Sequence, residues 1–89
     1  MAQSPRARIR SIIAATAAKH GMSEADILVR DRHAHVVAAR SEAWAVARQA
    51  GFTFTAIAKV GGWDHSSVGQ GVARHWARAR SEITRCENV

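Results

Sequence analysis

The sequence has no tyrosine, one cysteine and one proline, and aromatic residues are only 6% of its 89 positions. A lone cysteine, Cys86, permits neither an internal disulfide nor a thiolate metal site, which fits a reducing compartment. With Pro5 as the only proline, no helix downstream is broken by that residue. No apolar run approaches the length of a membrane span. The stretch "SIIAATAA" after the basic start is short and amphipathic, so it belongs to the fold and not to a signal peptide. Acids are also scarce. Thirteen Lys and Arg, nearly all Arg, face seven Asp and Glu, a formal net charge of +6. Arginine offers a planar fork of donors that suits phosphates and base edges. This balance in a small domain points to a polyanion, most often nucleic acid, over a merely solubilising surface.

Alanine is abundant, and apolar residues reach 47%. Small side chains with high helix propensity favour closely packed helices over sheet. A chain of this length buries one modest core and leaves little room for a catalytic cleft. The expectation is one all-α domain over residues 1–89, with no repeat and no linker.

Local signals divide it into five helices. Ser4-Pro5 starts the first, as N-cap and first helical residue, and Gly21 stops it. Ser23 and Asp26 have capping-box spacing for a short second helix anchored by Ile27 and Leu28. The basic stretch "VRDRHAH" reads as a loop. "VVAARSEAWAVARQA" predicts a third helix over 36–50, stopped by Gly51, with Val36, Ala39, Ala43, Val46, Ala47 and Ala50 as its apolar stripe. Thr53 caps a fourth from Phe54 to Val60. Asp64 is the N-cap of a long last helix. Val68, Val72, Trp76, Ala79 and Ile83 form that helix's stripe, while Gln70, Arg74, Arg78 and Arg85 share another side. Trp44 and Trp76 read as core or half-core residues.

Chemistry concentrates in "VGGWDHSSVGQG". Asp64, His65 and Ser66 are adjacent, but a hydrolytic triad must converge with His between its partners, and neighbours on one helical turn diverge. No Gly-Lys-Ser/Thr follows the glycines, so a Walker phosphate loop is excluded. His33, His35, His65 and His75 lack zinc-like spacing. No catalytic residue, metal, cofactor or small-molecule substrate is expected. A short helix, a glycine turn and a longer helix form a helix-turn-helix, whose second helix enters the major groove by its N-terminus. Asp64, His65 and Ser66 are then aimed at base edges. Gly69 and Gly71 each cost about 1 kcal/mol inside a helix, which predicts close approach of another backbone, either DNA or the third helix. Trp63 reads as a plug over the turn or as an exposed anchor for a protein, the plug being favoured.

"GGWDHSSV" resembles the signature of the C-terminal DNA-binding domain of the bacterial replication initiator DnaA, Gly-Gly-Arg-Asp-His-[Ser/Thr]-[Ser/Thr]-Val. "SEADIL", the basic loop, "VVAARSEAWAVAR" and "FTFTAIAKVGG" follow in the same order over about two-thirds of the chain. The resemblance implies a Trp-repressor-like all-helical fold. It implies that Asp64, His65 and Ser66 read bases in double-stranded DNA and that Ser67, Arg30, Arg32 and Arg40 meet the backbone. Gln70, where that family often has His, and Arg74 are further backbone candidates. The chain departs at Ala38, which replaces the family's minor-groove Arg, at Trp63, which replaces an Arg, and at Gly69 and Gly71. Its target therefore need not be the initiator's. The 89 residues carry no ATPase module, so the resemblance implies a stand-alone DNA reader in the bacterial cytoplasm and nucleoid. The expected function is transcriptional regulation alongside a second regulatory protein, without membrane contact. The rival expectation is a protein-interaction module that modulates replication initiation.

Overall fold

A computed structural model describes residues 4–28 and 33–87, with side chains as far as Arg80. Among these residues the fold is all-helical: α1 (Pro5–Lys19), α2 (Glu24–Leu28), α3 (Ala34–Gln49), α4 (Phe54–Gly61) and α5 (His65–Glu87). The starts follow the sequence rules. Ser4 Oγ accepts from Ala7 N–H at 3.2 Å, and Thr53 Oγ1 from Ala56 N–H at 3.1 Å. Ser23 and Asp26 make the reciprocal capping box: Ser23 N–H donates to Asp26 Oδ2 at 2.9 Å, and Asp26 N–H to Ser23 Oγ at 3.2 Å. The third helix begins two residues before the expected Val36. His33 takes the N-cap position without a side-chain cap bond, so the usual Ser, Thr, Asp or Asn signal is missing.

One device stops α1, α3 and α4. Gly21, Gly51 and Gly62 all have positive φ, at 71°, 106° and 68°. The next residue's N–H then reaches back to a carbonyl in the last turn: Met22 to Ala17 at 2.8 Å, Phe52 to Ala47 at 3.2 Å, Trp63 to Ala58 at 2.9 Å. This is the Schellman stop, in which the residue after glycine folds back on the helix it follows. Met22, Phe52 and Trp63 are all half-buried against the core. Each glycine thus reverses the chain and turns an apolar side chain inward.

Helix α3 is central and packs on the other four. It buries Ala39, Ala43, Ala45 and Ala47, and the missing bulk lets its neighbours approach closely. Around it lie Ile9, Ile13 and Ala17 of α1, Ile27 of α2, Ile57 and Ala58 of α4, and Val68 and Val72 of α5. Full burial of each isoleucine contributes about 2 kcal/mol. Val46, expected in the α3 stripe, is exposed instead.

Charged groups tie α1 to its neighbours. Arg10 Nε bonds Glu24 Oε1 at 2.7 Å. Glu42 Oε2 on α3 receives Lys19 Nζ at 3.0 Å and lies 3.3 Å from His20 Nε2. Burial pushes the Glu42 carboxyl up, but the hydrogen bonds and charges of Lys19 and His20 outweigh it and hold the pKa below its ordinary 4.5. A lowered folded-state pKa means that the unfolded chain binds the proton more readily. The stabilisation is therefore full above pH 4.5 and lost as pH falls through the lower folded value. Glu42→Gln is expected to cost about 1 kcal/mol near neutral pH, and denaturant titrations at falling pH should bring variant and parent together.

Candidate nucleic-acid interface

Three residues, Gly62, Trp63 and Asp64, connect α4 to α5. The indole of Trp63 lies edge-on to that of Trp44, with centroids 5.1 Å apart at 74°. A Cβ on Gly61 would sit 2.6 Å from the Trp63 ring, so only glycine leaves room for it there. Trp63 is accordingly the favoured plug and not the exposed anchor.

Helix α5 starts immediately after the plug. Asp64 stands at the N-cap position, and its carbonyl accepts the Val68 N–H at 3.1 Å. Asp64, His65, Ser66 and Ser67 are all exposed. His65 Nδ1 is 3.7 Å from Asp64 Oδ1, beyond hydrogen-bond range, with both side chains about two-thirds exposed to solvent (68% and 64%). The first backbone N–H groups of the helix have no intrahelical acceptor and carry the positive end of its dipole. This tip therefore presents a carboxylate, an imidazole and two hydroxyls over a surface that favours anions.

Beside the tip runs a groove between α3 and α5, of about 580 Å³. Arg40 and Ser41 border it from α3, Ser67, Gln70 and Arg74 from α5, and Trp44 contributes to its wall. Arg40 is anchored, its Nε donating to Ile27 O at 3.0 Å. A smaller recess of about 100 Å³ adjoins, lined in part by Arg74, His75 and Arg78. The sequence candidates thus fall into two sets: Asp64, His65 and Ser66 on the first turn, and Ser67, Gln70, Arg74 and Arg40 along the groove. Arg30 and Arg32 lie outside the described residues. Sequence reasoning missed Ser41, named His75 only among the scattered histidines, and left Arg78 out. The signal for Arg78 was present, since Gln70, Arg74 and Arg78 follow at four-residue spacing.

Two expectations change. At Gly71 it is the third helix that comes close, through the side chains of Trp44 and Ser41 and not through its backbone, and at Gly69 the nearest atoms within the domain belong to an α4 ring. At Gly71 a Cβ would collide with the Trp44 ring and lie 3.3 Å from Ser41 Oγ, whereas at Gly69 it would meet the Phe54 ring at an ordinary 3.6 Å. Trp76 is not a core residue: it is 42% exposed, although it continues the line of Val68 and Val72. Among the described residues, no three metal-ligating side chains cluster and no helix is long and apolar enough to cross a membrane.

No protein-family model matches the chain, no curated protein is significantly similar to it, and no solved structure matches its fold.

The two glycines separate by experiment. Gly69→Ala should stabilise by up to about 1 kcal/mol, through helix propensity alone. Gly71→Ala should destabilise by about 1–2 kcal/mol, because displacing a buried indole outweighs that gain. Urea melts of the two variants check both signs.

Proposed function

We propose that this chain is a sequence-specific double-stranded DNA-binding domain in which α4 and α5 act as a helix-turn-helix of the DnaA C-terminal kind. The observation that carries this reading is the joining of two chemistries at one end of one helix. The first turn of α5 offers Asp64, His65 and Ser66 to solvent, and the groove beside it is bordered by Arg40, Ser67, Gln70 and Arg74. Base edges need short polar groups of both donor and acceptor type, and phosphates need cations and hydroxyls alongside. Asp64 accepts from cytosine N4, His65 and Ser66 read neighbouring base edges, and Arg40 and Arg74 flank the phosphate path. Arg78 extends that path along α5.

The biological role that fits is transcriptional regulation together with a second protein in a bacterial cytoplasm, with regulation of replication initiation as its close variant. The rival interaction module relied on an exposed Trp63. That side chain is half-buried against Trp44, which counts for the DNA reading.

Affinity for duplex DNA should fall steeply with salt, in proportion to the phosphates neutralised. Asp64→Ala and His65→Ala should each erase preference at one or two base pairs, at about 1–3 kcal/mol, while Arg74→Ala weakens all sequences alike and lowers the salt slope by about one. Selection from random duplexes followed by salt titration measures all three. Weak binding to every duplex that is indifferent to salt would sink the proposal. Genome-wide occupancy mapping then distinguishes promoters from replication origins.

A further inference from the structure

We infer that Trp63 is a positioning residue for base reading, and that this domain keeps its specificity and its affinity on separate groups. Both halves rest on the DNA reading above; that Trp63 fixes the start of α5 rests on geometry alone. Trp63 immediately precedes Asp64, so its backbone leads directly into the first turn of α5. Its ring is held on two sides, by Trp44 at 5.1 Å and by the Cβ-free face of Gly61. Its N–H is fixed to Ala58 O at 2.9 Å. Trp44 in turn faces Gly71, two turns into α5. One indole on α3 therefore braces α5 at two places: through Trp63 just before the helix, and directly at Gly71. Asp64, His65 and Ser66 lie between these braces.

The braces carry no charge. Trp63 puts no cation at the turn and makes an aromatic contact whose direction is set by packing. Orientation of the reading side chains then depends on the indole pair, while attraction to the duplex depends on the groove arginines. Base contacts are sensitive to small displacements, and phosphate attraction is not, because a Coulomb field falls off gradually. Loosening Trp63 should consequently blur sequence preference and leave general DNA affinity in place.

Four variants test this: Trp63→Ala, Trp63→Phe, Trp63→Arg and Gly61→Ala, the last of which displaces the ring without altering it. Two measurements are made on each. The first is amide hydrogen exchange of the free protein at residues 68–71, where bonding within α5 begins with Val68 N–H to Asp64 O, compared with α1 and α3. The second is the ratio of affinities for a selected duplex and a random duplex. Trp63→Ala and Gly61→Ala should speed exchange at the α5 start more than elsewhere. They should lower the affinity ratio about tenfold, with random-duplex affinity changed less than about twofold. Trp63→Phe should keep most of both properties. Trp63→Arg should loosen the turn yet raise random-duplex affinity and steepen the salt slope by about one.

If Trp63→Ala does not fold, Gly61→Ala decides. Exchange that is unchanged at 68–71, or that rises equally throughout, overturns the inference. So does an affinity ratio that survives ring displacement. If selection yields no preferred duplex, the DNA reading falls while the exchange measurement still decides whether Trp63 fixes the turn.

Discussion

The indole of Trp44 occupies the crossing of α3 and α5, and the placement of the candidate interface follows from it. Only 6% of this residue is exposed. One part of its ring rests where Gly71 has no side chain, and Trp63 meets it edge-on. Its Nε1 is buried with no hydrogen-bond partner among the described residues, so shape and not polar pairing dictates where the ring lies. In a domain with so few aromatics, a pair of tryptophans supplies bulk that the alanine-lined helices cannot. The alanines of α3 bring helices close, and Trp44 limits how close α5 comes. The groove bordered by Arg40 and Arg74 lies beside this crossing.

Charge is sorted by task across the molecule. Glu24 pairs with Arg10, Glu42 with Lys19 and His20, and Asp26 closes the capping box. The two glutamates hold α1 to α2 and α3, and Asp26 closes the start of α2. Along α5 the described arginines, Arg74, Arg78 and Arg80, meet no acidic partner among the described residues. Asp64 is the exception, an acid at the positive end of a helix. A carboxylate there is favoured by the helix dipole.

Local rules were readable from residues one at a time. Ser4, Ser23 with Asp26, and Thr53 announce their helices because capping is settled within three residues. Gly21, Gly51 and the Gly61-Gly62 pair announce stops because left-handed backbone favours glycine. The exposure of Asp64, His65 and Ser66 at one helix start was likewise legible, as their position depends only on where α5 begins. What stayed hidden was whatever depends on a distant partner. The role of Gly71 required knowing that Trp44 lies across from it, and the groove exists only once α3 and α5 are side by side. Trp76 shows the converse: its spacing from Val68 and Val72 promised burial, but a periodic stripe does not say where the body of the domain ends.

The contact between Gly71 and Trp44 also works like a keyed shaft. Turning α5 by one residue, about 100°, would bring Gln70 or Val72 to the place where only the absence of a side chain fits the indole. Sliding it by a full turn meets the same obstacle in Ser67 or His75. Together with the burial of Val68 and Val72, this indexes the angular setting of the helix from the core. A domain indexed in this way cannot accommodate a different partner surface by rolling its exposed tip. Under the proposed DNA reading, a change of target sequence would come through the identities of the side chains at positions 64–66, with the frame left as it is.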